Sequence, residues 1–103
     1  MITYATDESF KELISGEHAM VDFFGENCGP CKILAKVLED IEEELPFANI
    51  VKVDTDKCPK TAESFHIVGI PDVYFFKNGN IVFHSAGLVD ADEIKARLSE
   101  IMY

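Results

Sequence analysis

The stretch VDFFGENCGPCK, Val21 to Lys32, decides how the whole chain is read. It begins in an apolar run and ends on two cysteines, Cys28 and Cys31, separated by Gly29 and Pro30. Ala19 to Phe24 is apolar on both alternating faces apart from Asp22, the pattern of a central strand covered on both sides. Beyond the cysteines, Ile33, Leu34, Val37, Leu38, Ile41 and Leu45 mark the stripe of a long helix stopped by Pro46. The cysteines therefore fall where a buried strand hands over to a helix.

The flanking sequence repeats that alternation. Ile2 to Ala5 is a short strand, and Phe10, Leu13 and Ile14 follow at helical spacing behind Thr6 or Asp7 as N-cap. Asn49 to Asp54 reads as a strand and Pro59 to Phe65 as a short helix with proline in its first turn. Val73 to Lys77 and Ile81 to Ser85 flank Asn78-Gly79, a hairpin signal. Asp90 with Glu93 resembles a capping box opening a last helix that buries Ile94, Leu98 and Ile101. The order β-α-β-α-β-α-β-β-α predicts an α/β fold, a mixed sheet with helices on both faces.

The 103 residues fit one domain, residues 1–103, since domains commonly run to about 100–150 residues. The 48% apolar content supplies a core without crosslinks. A formal charge of −10 argues against nucleic acid and anionic membranes as partners, because both require a cationic surface. No run of about 18 apolar residues exists to span a bilayer. The opening MITYATDESFKEL lacks the basic start and apolar stretch of a signal peptide. Three cysteines are too few for a disulfide scaffold, so a reducing, cytoplasmic setting is expected.

The Cys28–Cys31 spacing is shared by metal knots, structural crosslinks and redox centres. A structural zinc site takes four ligands, usually from two such pairs. Here the remaining candidates are Cys58, His18, His66 and His84, at no familiar spacing, so no metal is expected. A disulfide across one helical turn closes too short a loop to stabilise much. A redox role fits better. The first amides of a helix lack intrahelical partners and favour negative charge, so a thiolate at Cys28 is stabilised. Pro30 occupies the first turn, where its missing N–H costs nothing. Cys31 faces the same side one turn deeper, within reach of Cys28. An ionised Asp22 on a buried strand is costly unless paired or used, and two uses are expected. It can accept a proton from Cys31, with Lys52 as its charge partner.

With those residues in place, the chain resembles the thioredoxin family over essentially its whole length. VDFFGENCGPCK at 21–32, VKVDTD at 51–56, VGIP at 68–71, FFKNG at 75–79 and Ala86-Gly87 carry the likeness. The resemblance implies the thioredoxin fold, about five strands and four helices, and a general protein disulfide reductase acting through a mixed disulfide. It makes Cys28 the attacking thiolate, Cys31 the resolving cysteine, and Asp22 and Lys52 the family's buried pair. Gly29 and Pro30 form the active-site turn. Pro71 becomes the family's cis-proline, and Gly69, Ile70, Pro71 and Gly87 line a patch where an extended client segment pairs with the Ile70 backbone. No bound cofactor is expected. Expected partners are disulfide-containing client proteins and a thioredoxin reductase, with the chain acting as a monomer.

Three departures stand out. Asn27 replaces the tryptophan usual before the first cysteine, and the chain contains no tryptophan. Asp72 follows the cis-proline where threonine is common, and with Glu26 it would disfavour a nearby Cys28 thiolate. Phe24-Gly25 stands where Trp-Ala or similar is frequent. The alternatives are a disulfide oxidant or isomerase, and a non-catalytic binding module or accessory subunit. Cys58 reads as a small surface residue near a helix cap, or as a regulatory thiol made acidic by the helix N-terminus. His66 is expected at a helix end, and His18 and His84 on the surface.

Overall fold

The computed structural model describes residues 1–103. β1 (Ile2–Tyr4), α1 (Phe10–Leu13), β2 (His18–Phe24), α2 (Gly29–Glu44), β3 (Ile50–Asp54), α3 (Pro59–Ser64), β4 (Asp72–Lys77), β5 (Asn80–Ala86) and α4 (Ala91–Met102) follow in the expected order. The strands form one sheet in the order β1-β3-β2-β4-β5. β2 runs parallel to β3 and antiparallel to β4, so the strand feeding the cysteines lies at the centre of the sheet.

Period-2 alternation divides the core into two layers. Met20, Ile50, Val73 and Phe75 face α2 and α4, meeting Leu34, Leu38, Ile41, Ile94, Leu98 and Ile101. Val21, Phe23, Val51, Val53 and Phe76 face α1 and α3, packing with Phe10 and Cys58. Ile33 departs from the expected stripe: it is 56% exposed, because it lies on the outer side of α2 beside the exposed Leu88.

The β4–β5 turn is the tight hairpin expected, with Asn78 at φ 52° and Gly79 at φ 80°. Both residues of a primed turn need positive φ, which is why Asn-Gly fits here. Pairing slips by one residue between Phe75 and Phe76, so β5 carries one extra residue. Asp90 caps α4 as expected, its carboxylate accepting the Glu93 amide at 2.9 Å.

Asp7 behaves differently from its expected role. It caps α3 rather than α1, accepting the Thr61 amide at 2.9 Å and the Thr61 hydroxyl at 2.7 Å. The N-cap of α1 is Ser9 rather than Thr6, which braces it: the Thr6 hydroxyl oxygen accepts the Ser9 amide at 3.0 Å and its carbonyl the Phe10 amide at 3.1 Å. The chain curls enough between β1 and α1 to carry Asp7 across to the neighbouring helix.

Candidate active site

β2 ends at Phe24, and residues 25–28 lift the chain to the first turn of α2. Cys28 is the N-cap of that helix, extended at φ −130° and ψ 110°, and its sulfur accepts the Cys31 amide at 3.2 Å. Cys28 and Cys31 are joined as a disulfide with their Cα atoms 5.2 Å apart. Pro30 stands in the first turn, and Cys31 is buried while Gly29 and Pro30 are exposed. The amide that holds Cys28 Sγ is one of the orphan donors of a helix start. In the dithiol form that amide and the helix dipole favour a thiolate at Cys28.

The second wall is the loop before β4. The Ile70–Pro71 peptide is cis, and the Ile70 carbonyl oxygen lies 3.9 Å from Cys28 Sγ. The Gly87 amide donates to the Pro71 carbonyl at 2.8 Å, and Gly87 adopts φ 92°, a region favouring glycine. Val68 is fully exposed and Gly69 open to solvent, so an apolar rim flanks the exposed part of the cysteine turn. Gly25 is buried beneath Ile70: a Cβ at Gly25 would stand 2.6 Å from Ile70 Cδ1.

Beneath the cysteines lies the Asp22–Lys52 pair, adjacent in the β2–β3 register. Asp22 is 0% and Lys52 3% exposed, and Nζ stands 3.6 Å from Oδ2. That separation permits attraction without a hydrogen bond, and neither carboxylate oxygen has a hydrogen-bond partner. Burial pushes the Asp22 carboxyl up to about 6, against the opposing pull of Lys52. The Lys52 ammonium lies 4.5 Å from the Phe24 ring centre and 5.7 Å from that of Tyr4. A cleft of about 160 Å³ opens beside it, with Cys31, Lys32 and Lys52 in its lining. Cys31 and the Lys52 side of the buried pair thus share one solvent path.

Glu26 and Asp72 occupy places the sequence could not specify. Glu26 turns outward to Lys57, 3.7 Å away, in an exposed pair. Asp72 is buried and accepts a hydrogen bond from His84 Nε2 at 2.5 Å. His84 is on the surface, as expected, yet it is also stacked on Tyr74 with ring centres 4.1 Å apart. His18 departs from the surface position expected of it: it is half-buried, and its Nε2 accepts the Asn49 amide at 3.0 Å. His66 lies just past α3 at φ 53°, a helix-ending conformation.

Cys58 is the N-cap of α3, as expected, but it is neither on the surface nor acidic. It is 1% exposed, packed against the α1–α3 side of the core, with its thiol donating to the Ala5 carbonyl at 3.3 Å. Burial, with the charges of Asp7, Asp54 and Glu8 behind it, pushes the thiol's pKa up rather than down. No three His, Cys, Asp or Glu side chains gather into a metal-binding cluster.

Comparison with known proteins agrees with this geometry. A family model described as Thioredoxin matches residues 1–100. The thioredoxin of Chlamydia muridarum is 40% identical over 100 residues, covering 97% of this chain and 98% of that protein. The thioredoxin of Buchnera aphidicola is 42% identical, covering 91% and 89%. Among solved structures, the thioredoxin of Malassezia sympodialis superposes with a TM-score of 0.86 at 26% identity, covering 100% of this chain and 92% of the other. The reduced thioredoxin pre-protein of Schistosoma mansoni gives 0.85 at 28% identity, with 97% of each chain covered.

Proposed function

This chain belongs to the thioredoxin family and is a thiol–disulfide oxidoreductase, and from that premise we propose that it acts as a general protein disulfide reductase. The observation carrying the proposal is the N-cap position of Cys28. Its sulfur is held by the Cys31 amide and lies beside the Ile70 carbonyl, where a client backbone can dock.

In the dithiol form, the Cys28 thiolate attacks one sulfur of a client disulfide. The client S–S bond breaks, a Cys28–client disulfide forms, and the other client sulfur leaves as a thiolate that takes up a proton. The Cys31 thiol then gives its proton to the Asp22 carboxylate and attacks Cys28 Sγ. The mixed disulfide breaks, the second client thiol departs, and the Cys28–Cys31 disulfide is left behind. Two electrons have passed to the client. Lys52 tunes the process by holding Asp22 closer to its ionised form than burial alone would allow. Gly69, Ile70, Pro71 and Gly87 form the docking edge, an arrangement suited to an extended segment whose backbone pairs with Ile70.

A thioredoxin reductase restores the dithiol, and the chain works as a monomer in the cytoplasm. No helix is long and apolar enough to cross a membrane. The deciding measurement is the reduction potential of the Cys28–Cys31 pair against graded thiol–disulfide buffers. A value at or below about −270 mV, the figure typical of thioredoxins, supports a reductase. A value above about −200 mV overturns it in favour of an oxidant or isomerase.

A further inference from the structure

We propose that Asp72, His84 and Tyr74 form a clamp that positions the client-docking edge. The inference rests on the reductase reading, because it assigns a role to residues flanking the edge that reading uses. Asp72 directly follows cis-Pro71, and its carboxylate is bonded to His84 Nε2 on β5. An ionised carboxylate only accepts, so His84 Nε2 carries the bonded proton. His84 lies opposite Tyr74 in the β4–β5 register and stacks on it at 11° between ring planes. Tyr74 in turn packs edge-on against Phe65 and Phe23, with ring centres 5.1 and 5.8 Å away.

This sequence of contacts joins both lips of the site. One lip is Ile70–Pro71, leading into Asp72; the other is Gly87, which follows β5. The backbone ties them through the Gly87 amide on the Pro71 carbonyl at 2.8 Å, beside the Asp72–Ala86 end of the β4–β5 ladder. Asp72 reaches diagonally back across the hairpin to His84, so a second tie crosses the same two strands on the side chains. Phe65 closes α3 and precedes the His66–Gly69 segment, so the stack also braces the approach to Ile70 from behind.

A buried carboxylate at a strand start is costly unless paired, and His84 supplies the partner. The pair also fixes the angle at which the Ile70 carbonyl and amide meet an incoming strand. It also keeps the Asp72 charge engaged by His84 beside the docking edge. A client gains affinity through that edge, whereas a small disulfide with no backbone to dock does not use it.

The test measures kcat and KM on the full chain with two substrates, a disulfide-linked extended peptide and hydroxyethyl disulfide. His84→Ala is expected to raise KM for the peptide roughly three- to tenfold, the scale of one partly exposed charge-assisted bond. Its kcat, and the rate with hydroxyethyl disulfide, should stay within about twofold of wild type, because neither uses the docking edge. Asp72→Thr removes the same bond from its other end and should give the same rise, which keeps the test decisive if His84→Ala fails to fold. The double variant Asp72→Thr/His84→Ala should raise KM no further than either single change, since both remove the same bond. An unchanged peptide KM, an equal slowing of both substrates, or additive rises in the double variant would each overturn the clamp. A wild-type chain that reduces neither substrate would overturn the reductase reading itself, and the clamp with it.

Discussion

Lys52 Nζ stands 3.6 Å from Asp22 Oδ2, and the two groups attract each other without sharing a proton. The carboxylate is therefore stabilised by charge alone while it bears the full cost of burial, and its pKa rises to about 6 against an ordinary 3.8. Between those pH values the folded chain holds a proton that the unfolded chain has lost, so stability falls as pH rises through that window and levels off above it. The loss should be on the order of 2–3 kcal/mol. Urea unfolding between pH 3.5 and 7 reads it directly, at about half-unit steps. Asp22→Asn should flatten the slope, and an equal slope in both proteins would sink the assignment.

The proposed order of attack would make Cys31→Ser a trap. With the resolving sulfur gone, Cys28 should still attack, but the mixed disulfide would have no internal route to release. Mixing the variant with a disulfide-bonded protein should give a covalent adduct that non-reducing gels show and that excess dithiothreitol clears. Cys28→Ser should give none. Adducts of equal yield from both variants would contradict the assignment of Cys28 as nucleophile.

Cys58 should resist reagents while the fold holds. Its thiol is buried, bonded to the Ala5 carbonyl and raised in pKa, three effects that all suppress the reactive thiolate. In the oxidised protein, where it is the only free cysteine, iodoacetamide should label it at least about a hundredfold more slowly than a small free thiol. Denaturant should restore the ordinary rate. Rapid labelling of the native oxidised chain would contradict its placement.

Gly25→Ala should act on docking rather than on the core. The new methyl would stand 2.6 Å from Ile70 Cδ1, the free end of a flexible side chain that can swing away. The fold should lose little, below about 1.5 kcal/mol. Displacing Ile70 should raise KM for extended disulfide clients about threefold or more, with the rate on a small disulfide unaltered. A large drop in melting temperature with unaltered KM would show that the methyl is accommodated by backbone movement instead.

Most of the architecture was legible because its causes are local. The two-sided apolar run in Ala19–Phe24, the stripe from Leu34 to Ile41 and the Asn78-Gly79 turn each act within a few residues, and each appears where its pattern puts it. The cysteine turn was legible for the same reason: strand, loop and helix start are contiguous. Contacts across the fold were harder to read. Asp7 looked like the cap of the helix that follows it, yet its partner Thr61 is distant in sequence. Cys58 looked like a surface cap because proline and helix follow, and nothing local shows that its side chain turns inward to Ala5. The Asp72–His84 bond could have been sought by counting outward from Asn78-Gly79. The extra residue in β5 shifts that count by one and conceals which side chains share a face.

The central place of β2 has a mechanical consequence. In the proposed mixed disulfide, a tug on the client is shared between α2 and residues 25–28, which lead into Phe24 and along β2. That strand is hydrogen-bonded along both sides, to β3 and to β4, so such a load shears two ladders together instead of peeling one from an edge. If the covalent intermediate forms as proposed, the part of the pull that enters β2 is borne where the sheet is hardest to tear.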